Sequence, residues 1–444
     1  MNDQPSQPQA EAAAQFDRGV ELENANDLHG ARSAYERAAA LDPGHVEASA
    51  SLAWLGAQAG NSAAARRWAK SALALDSANV LARMALAFAE LQDGQLDAAG
   101  HRLAALYADP VLTPLNRSIV LGLIGDLNDA QGDVARAFKA YDAANAQLKA
   151  LYPAFAAPGA ETALGHARRL TAWLEAADPA LWRHQPETSA SAADPKTHIF
   201  LVGFPRSGTT LLETVLAGHP EVVTLEEKDG LAQAADAYLR SSAGFDRLAN
   251  VSPAEAHSQR DAYWSAVRGF GVEPRGRVFI DKMPLATVLL PVIGKLFPDA
   301  RVLFAVRDPR AVVLSCFRRR FGMNAAMYQF LTLDGAADYY DAVMRLADAY
   351  RDLRPFTENV VRYESLVEDF EGSARAVCDF LDLNWDPVMS DVAATARSRG
   401  ITTPSAAQLA RGLNREGQGT WRRYREQMAP VLPVLEPWVE RFGY

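Results

Sequence analysis

Small and hydrophobic residues in the first third of the chain recur with a helical spacing and a constant period. A set of alanines and leucines with one aromatic position returns at an offset of 34 in the numbering. The two copies are Ala31, Tyr35, Ala38 and Leu41, then Ala65, Ala69, Ala72 and Leu75. The same step again reaches Ala99, and a last copy with Tyr141 carries four extra residues, which fit the connection at 110–114. Each unit is typical of a helical hairpin.

Four such units over 12–150 predict an α-solenoid with a concave face, because each hairpin leaves an apolar side that its neighbour covers. The helical domain is predicted to span 1–185. Two interpretations of the concave face stay open: a surface that binds a peptide or protein partner, or a scaffold for packing and for a homodimer. A stretch rich in proline, serine and alanine at 186–195 then predicts a linker.

The pattern changes beyond the linker. Short apolar runs at 198–202, 277–280 and 301–306 alternate with helical segments. Strands that alternate with helices predict a parallel sheet with helices on both faces and a ligand at the carboxyl ends of the strands. Residues 196–444 are therefore predicted to form an α/β domain of this kind.

A glycine-bounded turn follows the first of these strands directly. It reads Gly203-Phe204-Pro205-Arg206-Ser207-Gly208-Thr209-Thr210 and leads into a helical segment. This order aims backbone N–H groups and a helix N-terminus at an anion. The spacing fits the Walker A pattern, except that Thr209 occupies the position of the lysine that contacts the β- and γ-phosphates. The turn therefore favours a ligand with one 5′-phosphate-type group over ATP or GTP, and an ordinary turn before a helix is the alternative.

The segment 205–211, with His219-Pro220 and Glu226-Glu227, resembles the 5′-phosphosulfate-binding loop of sulfotransferases that use 3′-phosphoadenosine 5′-phosphosulfate (PAPS). The protein-tyrosine sulfotransferases are the most similar group, and the resemblance covers about residues 196 to 444. The repeated unit of the first third resembles the tetratricopeptide repeat, and the combination resembles a bacterial architecture. For the donor, the resemblance implies a binding loop made of Arg206, Ser207, Gly208, Thr209 and Thr210.

A second candidate anion site lies between 301 and 325, where six arginines accompany a single acidic residue, Asp308. The resemblance implies that Arg307 and Ser315 hold the 3′-phosphate of the nucleotide, joined by Arg319. A guanidinium fork and a hydroxyl suit a terminal phosphate. We expect the other arginines to lie on a solvated helix face.

Two further residues are assigned to the nucleotide by resemblance alone. Tyr363 would lie near the adenine, or else be a half-buried aromatic residue of a strand. Ser405 would belong to a C-terminal segment that closes over the nucleotide. In that segment the family pattern has a lysine next to tryptophan, whereas this chain has Thr420 before Trp421, so the closing cation stays open.

Transfer of a sulfuryl group to a hydroxyl needs a base for the acceptor proton and positive charge where the departing oxygen becomes anionic. The resemblance implies that Glu227 is the base and that Lys282 and Arg206 supply the charge. As alternatives, Glu226 and Glu227 would be a surface pair at the start of a helix, and Lys282 an ordinary surface cation. No metal is required.

Composition and charge disfavour several classes of protein. The formal net charge of −9 disfavours a general nucleic-acid binder, and the N-terminus lacks the basic and apolar regions of a secretory signal. The two cysteines form no zinc-binding pattern, and we expect reduced thiols of which at least one is buried. No apolar stretch is long enough to span a membrane, so a cytoplasmic protein without membrane or nucleic-acid partners is expected.

The hypothesis is a PAPS-dependent sulfotransferase acting on a hydroxyl or phenol, with tyrosine in a protein or peptide as the favoured acceptor. A glycan or a small molecule stays open as acceptor. The alternatives are a non-catalytic repeat scaffold fused to a degenerate nucleotide-binding domain and, weakened by Thr209, a P-loop kinase.

Overall fold

A computed structural model describes residues 6–25, 27–183, 195–354, 356–399 and 418–444. These residues divide into two units. The first comprises the described parts of Met1–Pro153, Arg318–Gly322 and Ala396–Gly412, and the second those of Ala154–Phe317, Met323–Thr395 and Leu413–Tyr444. The predicted linker lies mainly outside the described residues, and the domain bounds derived from sequence stay a prediction.

The described part of the first unit contains four helical hairpins. Their helices are α1 Gln7–Asn24, α2 Leu28–Leu41, α3 Val46–Gln58, α4 Ser62–Leu75, α5 Val80–Gln92, α6 Leu96–Tyr107, α7 Pro114–Ala130 and α8 Val134–Leu151. The second helices of the first three hairpins begin at Leu28, Ser62 and Leu96, which are evenly spaced. The second helix of the fourth hairpin begins at Val134, four positions later than the same spacing predicts. This difference accounts for the four extra residues. The predicted period is confirmed, and the hairpins are compatible with tetratricopeptide repeats.

Two tyrosines at equivalent positions in the first and last hairpins pack in the same way. Tyr35 and Tyr141 are both buried, and each hydroxyl donates to a carboxylate on the preceding helix. The distances are 2.7 Å from Tyr35 to Glu23 and 2.9 Å from Tyr141 to Asp126. The equivalence predicted from the repeat therefore extends to side-chain contacts.

Two of the arginines expected on a solvated helix face belong to the first unit instead. Arg318 pairs with Asp129 at 2.5 Å, and Arg320 pairs with Asp126 at 2.8 Å. The Arg318 guanidinium also donates to the Tyr141 hydroxyl at 3.1 Å. The expectation was wrong because the last hairpin offers two carboxylates that neutralise these charges in a half-buried position.

The second unit contains a five-stranded parallel sheet, which confirms the predicted fold class. Its strands are β1 Thr197–Gly203, β2 Val222–Glu226, β3 Val278–Lys282, β4 Arg301–Val306 and β5 Glu358–Arg362, in the spatial order β2-β3-β1-β4-β5. Strand β3 runs two residues beyond its predicted end, because Lys282 still pairs with Leu201 of β1 and Glu226 of β2.

The remaining helices connect and cover these strands. They are α9 Ala163–Glu175, α10 Pro179–Arg183, α11 Thr209–Ala217, α12 Ala232–Leu239, α13 Ser242–Ala249, α14 Pro253–Gly269, α15 Leu290–Leu296, α16 Pro309–Arg318, α17 Ala325–Gln329, α18 Leu333–Leu353, α19 Tyr363–Glu368, α20 Phe370–Phe380, α21 Val392–Arg399, α22 Arg425–Met428 and α23 Leu432–Phe442. Short 3-10 helices occupy Pro153–Ala156, Pro284–Leu289, Pro387–Ser390 and Thr420–Tyr424. Among the described helices, none is both long and apolar enough to cross a membrane.

The strand order determines where a ligand can enter. In the strand order, the chain moves from β1 towards β2 in one direction, whereas from β4 it moves to β5 in the opposite direction. Neighbouring parallel strands whose connections leave in opposite directions form a crevice at their carboxyl ends. Gly203 of β1 pairs with Ala305 of β4, so the predicted anion loop and the Arg307 turn begin side by side at this crevice.

Candidate functional site

The predicted anion loop follows β1, and α11 begins at Thr209, which confirms the strand–turn–helix order. Gly203 has φ 152°, and a Cβ there would lie 2.5 Å from the carbonyl oxygen of Ala305. Gly208 has φ 95°, and a Cβ there would lie 2.7 Å from the Tyr363 ring. Both positions therefore need glycine. The first N–H groups of a helix have no partner within the helix, and α11 begins directly at the end of the loop, as an anion cradle requires.

The start of the loop is held by a buried hydroxyl. Thr287 Oγ1 accepts from the Gly203 N–H at 3.0 Å and donates to the Gly203 carbonyl at 2.6 Å. On the other side, the buried Cys316 thiol of α16 donates to the Pro205 carbonyl at 3.4 Å. Both cysteines are free and buried, as expected.

The structure brings the two candidate anion motifs together. The Nε of Arg206, in the loop after β1, donates to Ser315 Oγ on α16 at 3.0 Å. Arg307 Nη1 donates to the Arg206 carbonyl at 3.4 Å. Both contacts join segments that are far apart in the sequence, so they depend on the pairing of β1 with β4. The roles of these side chains on a nucleotide stay predictions.

Tyr363 lies beside both motifs, although not in a strand. Strand β5 ends at Arg362, and Tyr363 is the first residue of α19. Its buried ring contacts Gly208 and carries the Arg307 guanidinium at 4.5 Å from the ring centroid. A cation over an aromatic face is stabilised and oriented by the ring. Tyr363 therefore positions Arg307, and its proposed contact with adenine stays a prediction.

Lys282, at the end of β3, is the centre of a cluster of carboxylates. Its side chain is completely buried, with Nζ 2.8 Å from Glu227, 3.4 Å from Glu226 and 3.3 Å from Glu213. The alternative of an ordinary surface cation is therefore wrong. Burial acts to lower the pKa of Lys282, but Glu213, Glu227 and Glu226 outweigh it and hold the pKa above its usual value. Lys282 is therefore a protonated cation.

Glu226 and Glu227 do not begin a helix. Glu226 is the last residue of β2, and Glu227 follows it with φ 48° and donates its backbone N–H to the Lys282 carbonyl at 2.9 Å. Among the described residues, the non-glycine positions with positive φ are Arg206, Glu227 and Asp382. Left-handed backbone at a non-glycine residue costs energy and is concentrated at functional sites. Two of the three candidate catalytic residues have this conformation.

Sequence analysis did not single out Glu213. It lies on α11, one turn beyond Thr209, and is 1% exposed. Its signal is the only charged residue within the segment Leu211-Leu212-Glu213-Thr214-Val215-Leu216, since a buried carboxylate needs a cation beside it.

A second buried network occupies the other side of β3. Successive strand residues face opposite sides of a sheet, so Asp281 points away from the Lys282 cluster. Tyr263 of α14 donates its hydroxyl to Asp281 at 2.8 Å and lies 3.1 Å from the His198 Nε2. Burial raises the pKa of Asp281 to about 7, although the Tyr263 hydrogen bond acts in the opposite direction.

The C-terminal part of the described chain contacts the Arg307 turn through Trp421. Its indole N–H donates to Asp308 at 2.9 Å. Arg310 pairs with Asp308 at 2.8 Å and stacks on Trp421 at 4.2 Å from the ring centroid. Arg422, which follows Trp421 in the chain, is exposed and lies 5.6 Å from that ring.

Two further predicted nucleotide contacts, Arg319 and Ser405, stay predictions. Arg319 lies just beyond α16 in the first unit, where burial lowers its pKa while the nearby Asp126 carboxylate raises it. Ser405 lies outside the described residues. In the part of the chain that the structure covers, no group of three His, Cys, Asp or Glu side chains could hold a metal ion.

Residues 198–387 match the protein family described as Sulfotransferase family, and this range includes the loop, the Lys282 cluster and the Arg307–Ser315 pair. This part of the chain is therefore similar to the sulfotransferase family. The chain is also similar to a protein-tyrosine sulfotransferase of Drosophila melanogaster, with 28% identity over 263 residues that cover 53% of this chain and 51% of the fly protein.

A second relative is protein-tyrosine sulfotransferase 2 of Gallus gallus, 27% identical over 264 residues, or 55% of this chain and 69% of the chicken protein. Among solved structures, the sulfotransferase domain of the Synechococcus PCC 7002 olefin synthase is 21% identical, with a TM-score of 0.35, over 59% of this chain and 99% of that chain. This chain spans about half the length of the fly relative and a third of an uncharacterized Aquifex aeolicus relative that it also matches.

Proposed function

We propose that this protein transfers the sulfuryl group of PAPS to a hydroxyl or phenol, with tyrosine in a protein or peptide as the favoured acceptor. The observation that carries the proposal is the contact between Arg206 of the β1 loop and Ser315 of α16. It joins two anion motifs at one crevice, and PAPS is a ligand with an anionic group at each end. The sulfotransferase family match supports the same donor.

In this proposal the two motifs hold different parts of the donor. Backbone N–H groups of the loop and the hydroxyls of Ser207, Thr209 and Thr210 bind the 5′-phosphosulfate. Arg307 and Ser315 bind the 3′-phosphate, with the Arg307 guanidinium oriented by the ring of Tyr363. Guanidinium and hydroxyl groups are well suited to this task because phosphate oxygens accept several charge-assisted hydrogen bonds.

The chemical step is an in-line displacement at sulfur. The acceptor oxygen forms a bond to sulfur while the bond from sulfur to the 5′-phosphate oxygen breaks, and Glu227 takes the acceptor proton. Adenosine 3′,5′-bisphosphate leaves with the electron pair of that bond. Lys282 and Arg206 stabilise the charge that develops on the leaving side, where preorganised cations contribute most.

The acceptor is inferred from chemistry and from the relatives. A tyrosine hydroxyl has a pKa near 10, so it transfers its proton to a carboxylate only as the bond to sulfur forms, which is general-base catalysis. The two relatives named above are protein-tyrosine sulfotransferases. The helical hairpins are proposed to recruit the acceptor protein or peptide.

Calorimetry with adenosine 3′,5′-bisphosphate tests the donor site directly, with ATP as the comparison ligand. We expect the bisphosphate to bind and ATP to bind more weakly. Preference for ATP would favour a kinase, and binding of neither would favour a non-catalytic scaffold. A donor labelled with radioactive sulfate, offered to tyrosine peptides, glycans and phenols, then identifies the acceptor, and transfer to a glycan alone would overturn the tyrosine assignment.

A further inference from the structure

The cation of this site lies on a strand, whereas the lysine of a Walker A motif lies in the phosphate-binding loop. There the lysine belongs to the loop itself, so the cation and the phosphate-binding N–H groups are fixed together. Here Thr209 occupies that position, and the buried cation is Lys282 on β3. Strand pairing sets its height at the sheet edge, since Lys282 is in register with Leu201, two residues before Gly203. Strand pairing alone does not fix the position of the Lys282 side chain relative to the loop, so a contact from the loop or its helix is needed.

Glu213 provides that connection. It lies on α11, the helix that begins in the anion loop, and its carboxylate is 3.3 Å from Lys282 Nζ. Both side chains are buried, at 1% and 0% exposure. Burying an ion pair rarely stabilises a fold compared with apolar residues of the same shape, because both charges lose their hydration. Stability alone therefore gives no reason for this pair.

The three carboxylates around Lys282 differ in what they can do. The side chains of Glu227 and Glu226 are 33% and 19% exposed, so both can reach a bound ligand. Glu227 as the base must take the acceptor proton, and its protonated form holds Lys282 only weakly. Glu213 is enclosed, at 1% exposure, and its carboxylate stays beside Lys282 while Glu227 changes partner. Glu227 therefore changes its partner during the reaction, whereas Glu213 stays in contact with Lys282 throughout.

We propose that Glu213 is a positioning residue, which holds Lys282 charged and in place beside the anion loop and so replaces the missing loop lysine. The proposal rests on the sulfotransferase activity proposed above. The charged groups that face Lys282 are Glu213 from α11 and Glu226 and Glu227 at the end of β2, with Asp281 next to it on β3. Without Glu213, Lys282 loses protons at a lower pH and its geometry is less well fixed.

The test compares Glu213→Gln with wild type between pH 8 and pH 10, above the titration of Asp281 near 7. We expect transfer to fall about tenfold or more at pH 8, and the deficit to grow by at least about threefold at pH 10 as Lys282 deprotonates. Adenosine 3′,5′-bisphosphate lacks the sulfuryl group, so we expect its affinity for the variant to stay within about threefold of wild type. A contact that is stronger in the transition state than in the ground state changes the rate of transfer rather than this affinity.

Two variants separate charge from packing. Glu213→Asp keeps the negative charge but places it further from Lys282, because its side chain is shorter. We expect this variant to transfer sulfate more slowly than wild type, by a factor that does not change with pH. Glu90→Gln is the matched control, because Glu90 is a buried carboxylate paired with Arg102 at 2.8 Å in the first unit. It should leave both the rate and its pH profile unchanged.

Each outcome decides between distinct claims. If wild type neither binds the bisphosphate nor transfers sulfate, the proposed function fails. If wild type is active and Glu213→Gln matches it at every pH, only the role of Glu213 fails. Where circular dichroism shows that Glu213→Gln does not fold, Glu213→Asp decides: slower transfer with unchanged bisphosphate affinity supports the role, and an unchanged rate overturns it.

Discussion

The two ends of the candidate site use charge in opposite ways. At one end, the Arg307 guanidinium lies over the Tyr363 ring and donates to a backbone carbonyl, and the Ser315 hydroxyl accepts a hydrogen bond from the loop. At the other end, Lys282 is surrounded by three carboxylates. The first arrangement is suited to bind an anion. In the second, the carboxylates compensate the charge of Lys282 until the donor binds or a carboxylate takes the acceptor proton. Affinity for the donor and the rate of transfer should therefore reside in different residues.

The largest effect is expected for Lys282→Met. Transfer should fall by about a thousandfold, the scale for losing one preorganised charge at a reacting centre. The free energy of unfolding should fall by about 3 to 5 kcal/mol, because buried carboxylates lose their cation. Initial rates with labelled donor and urea unfolding measure the two effects, and bisphosphate affinity should change little.

Lys295→Met provides the control for Lys282. Lys295 is also buried and donates to the Leu181 carbonyl at 3.0 Å, and burial lowers its pKa to about 8. This variant should change stability but not the rate of transfer. Equal losses of rate in both variants would mean that Lys282 acts through folding alone.

The next effect separates the two neighbouring carboxylates of the Lys282 cluster. Glu227→Gln should slow transfer by about a hundredfold or more, as expected when a general base is lost, with bisphosphate affinity retained. Glu226→Gln should slow it by less than about tenfold, since Glu226 is 3.4 Å from Lys282 and lacks the strained backbone of Glu227. The reverse order in rate assays would make Glu226 the base.

The anion loop could be predicted because its signal is local. Glycine spacing, a preceding apolar run and a following helix all fall within 198–216, and the structure confirms that order. The same holds for β4, whose predicted range agrees with Arg301–Val306. The helical hairpins were accessible from sequence because their period repeats.

Contacts between distant segments could not be predicted in this way. The buried Glu213 is explained by Lys282, which ends a strand much further along the chain. Arg318 and Arg320 pair with Asp129 and Asp126, which belong to a helical hairpin in the first third of the sequence. The sequence shows residue types at each place, but which of them meet depends on strand order and helix packing.

At the arginine end we expect the main effect on affinity from Arg307→Ala. The bisphosphate dissociation constant should rise about ten- to a hundredfold, because hydrogen bonds to a charged group contribute roughly 1.5 to 3 kcal/mol. Transfer at saturating donor should change by less than about threefold, since this contact is the same in ground and transition states. Calorimetry and saturation kinetics measure the two quantities.

Arg310→Ala is the matched control for Arg307. Arg310 lies three residues further on, at the start of α16, but it pairs with Asp308 and stacks on Trp421. Its removal should weaken bisphosphate binding much less than that of Arg307. A larger loss for Arg310 would move the 3′-phosphate site towards Trp421.

The smallest effect is expected for Ser315→Ala. The variant loses one neutral hydroxyl, which also receives the Arg206 hydrogen bond at 3.0 Å. The bisphosphate dissociation constant should rise about three- to tenfold, which corresponds to roughly 1 kcal/mol. Ser315→Thr keeps the hydroxyl and should bind nearly as wild type does. Arg206 lies in the loop and Ser315 on α16, so this variant also tests whether the two ends are separate. If Ser315→Ala slowed transfer at saturating donor more than it weakened binding, Ser315 would act on the reacting end through Arg206, and the division between affinity and rate would fail.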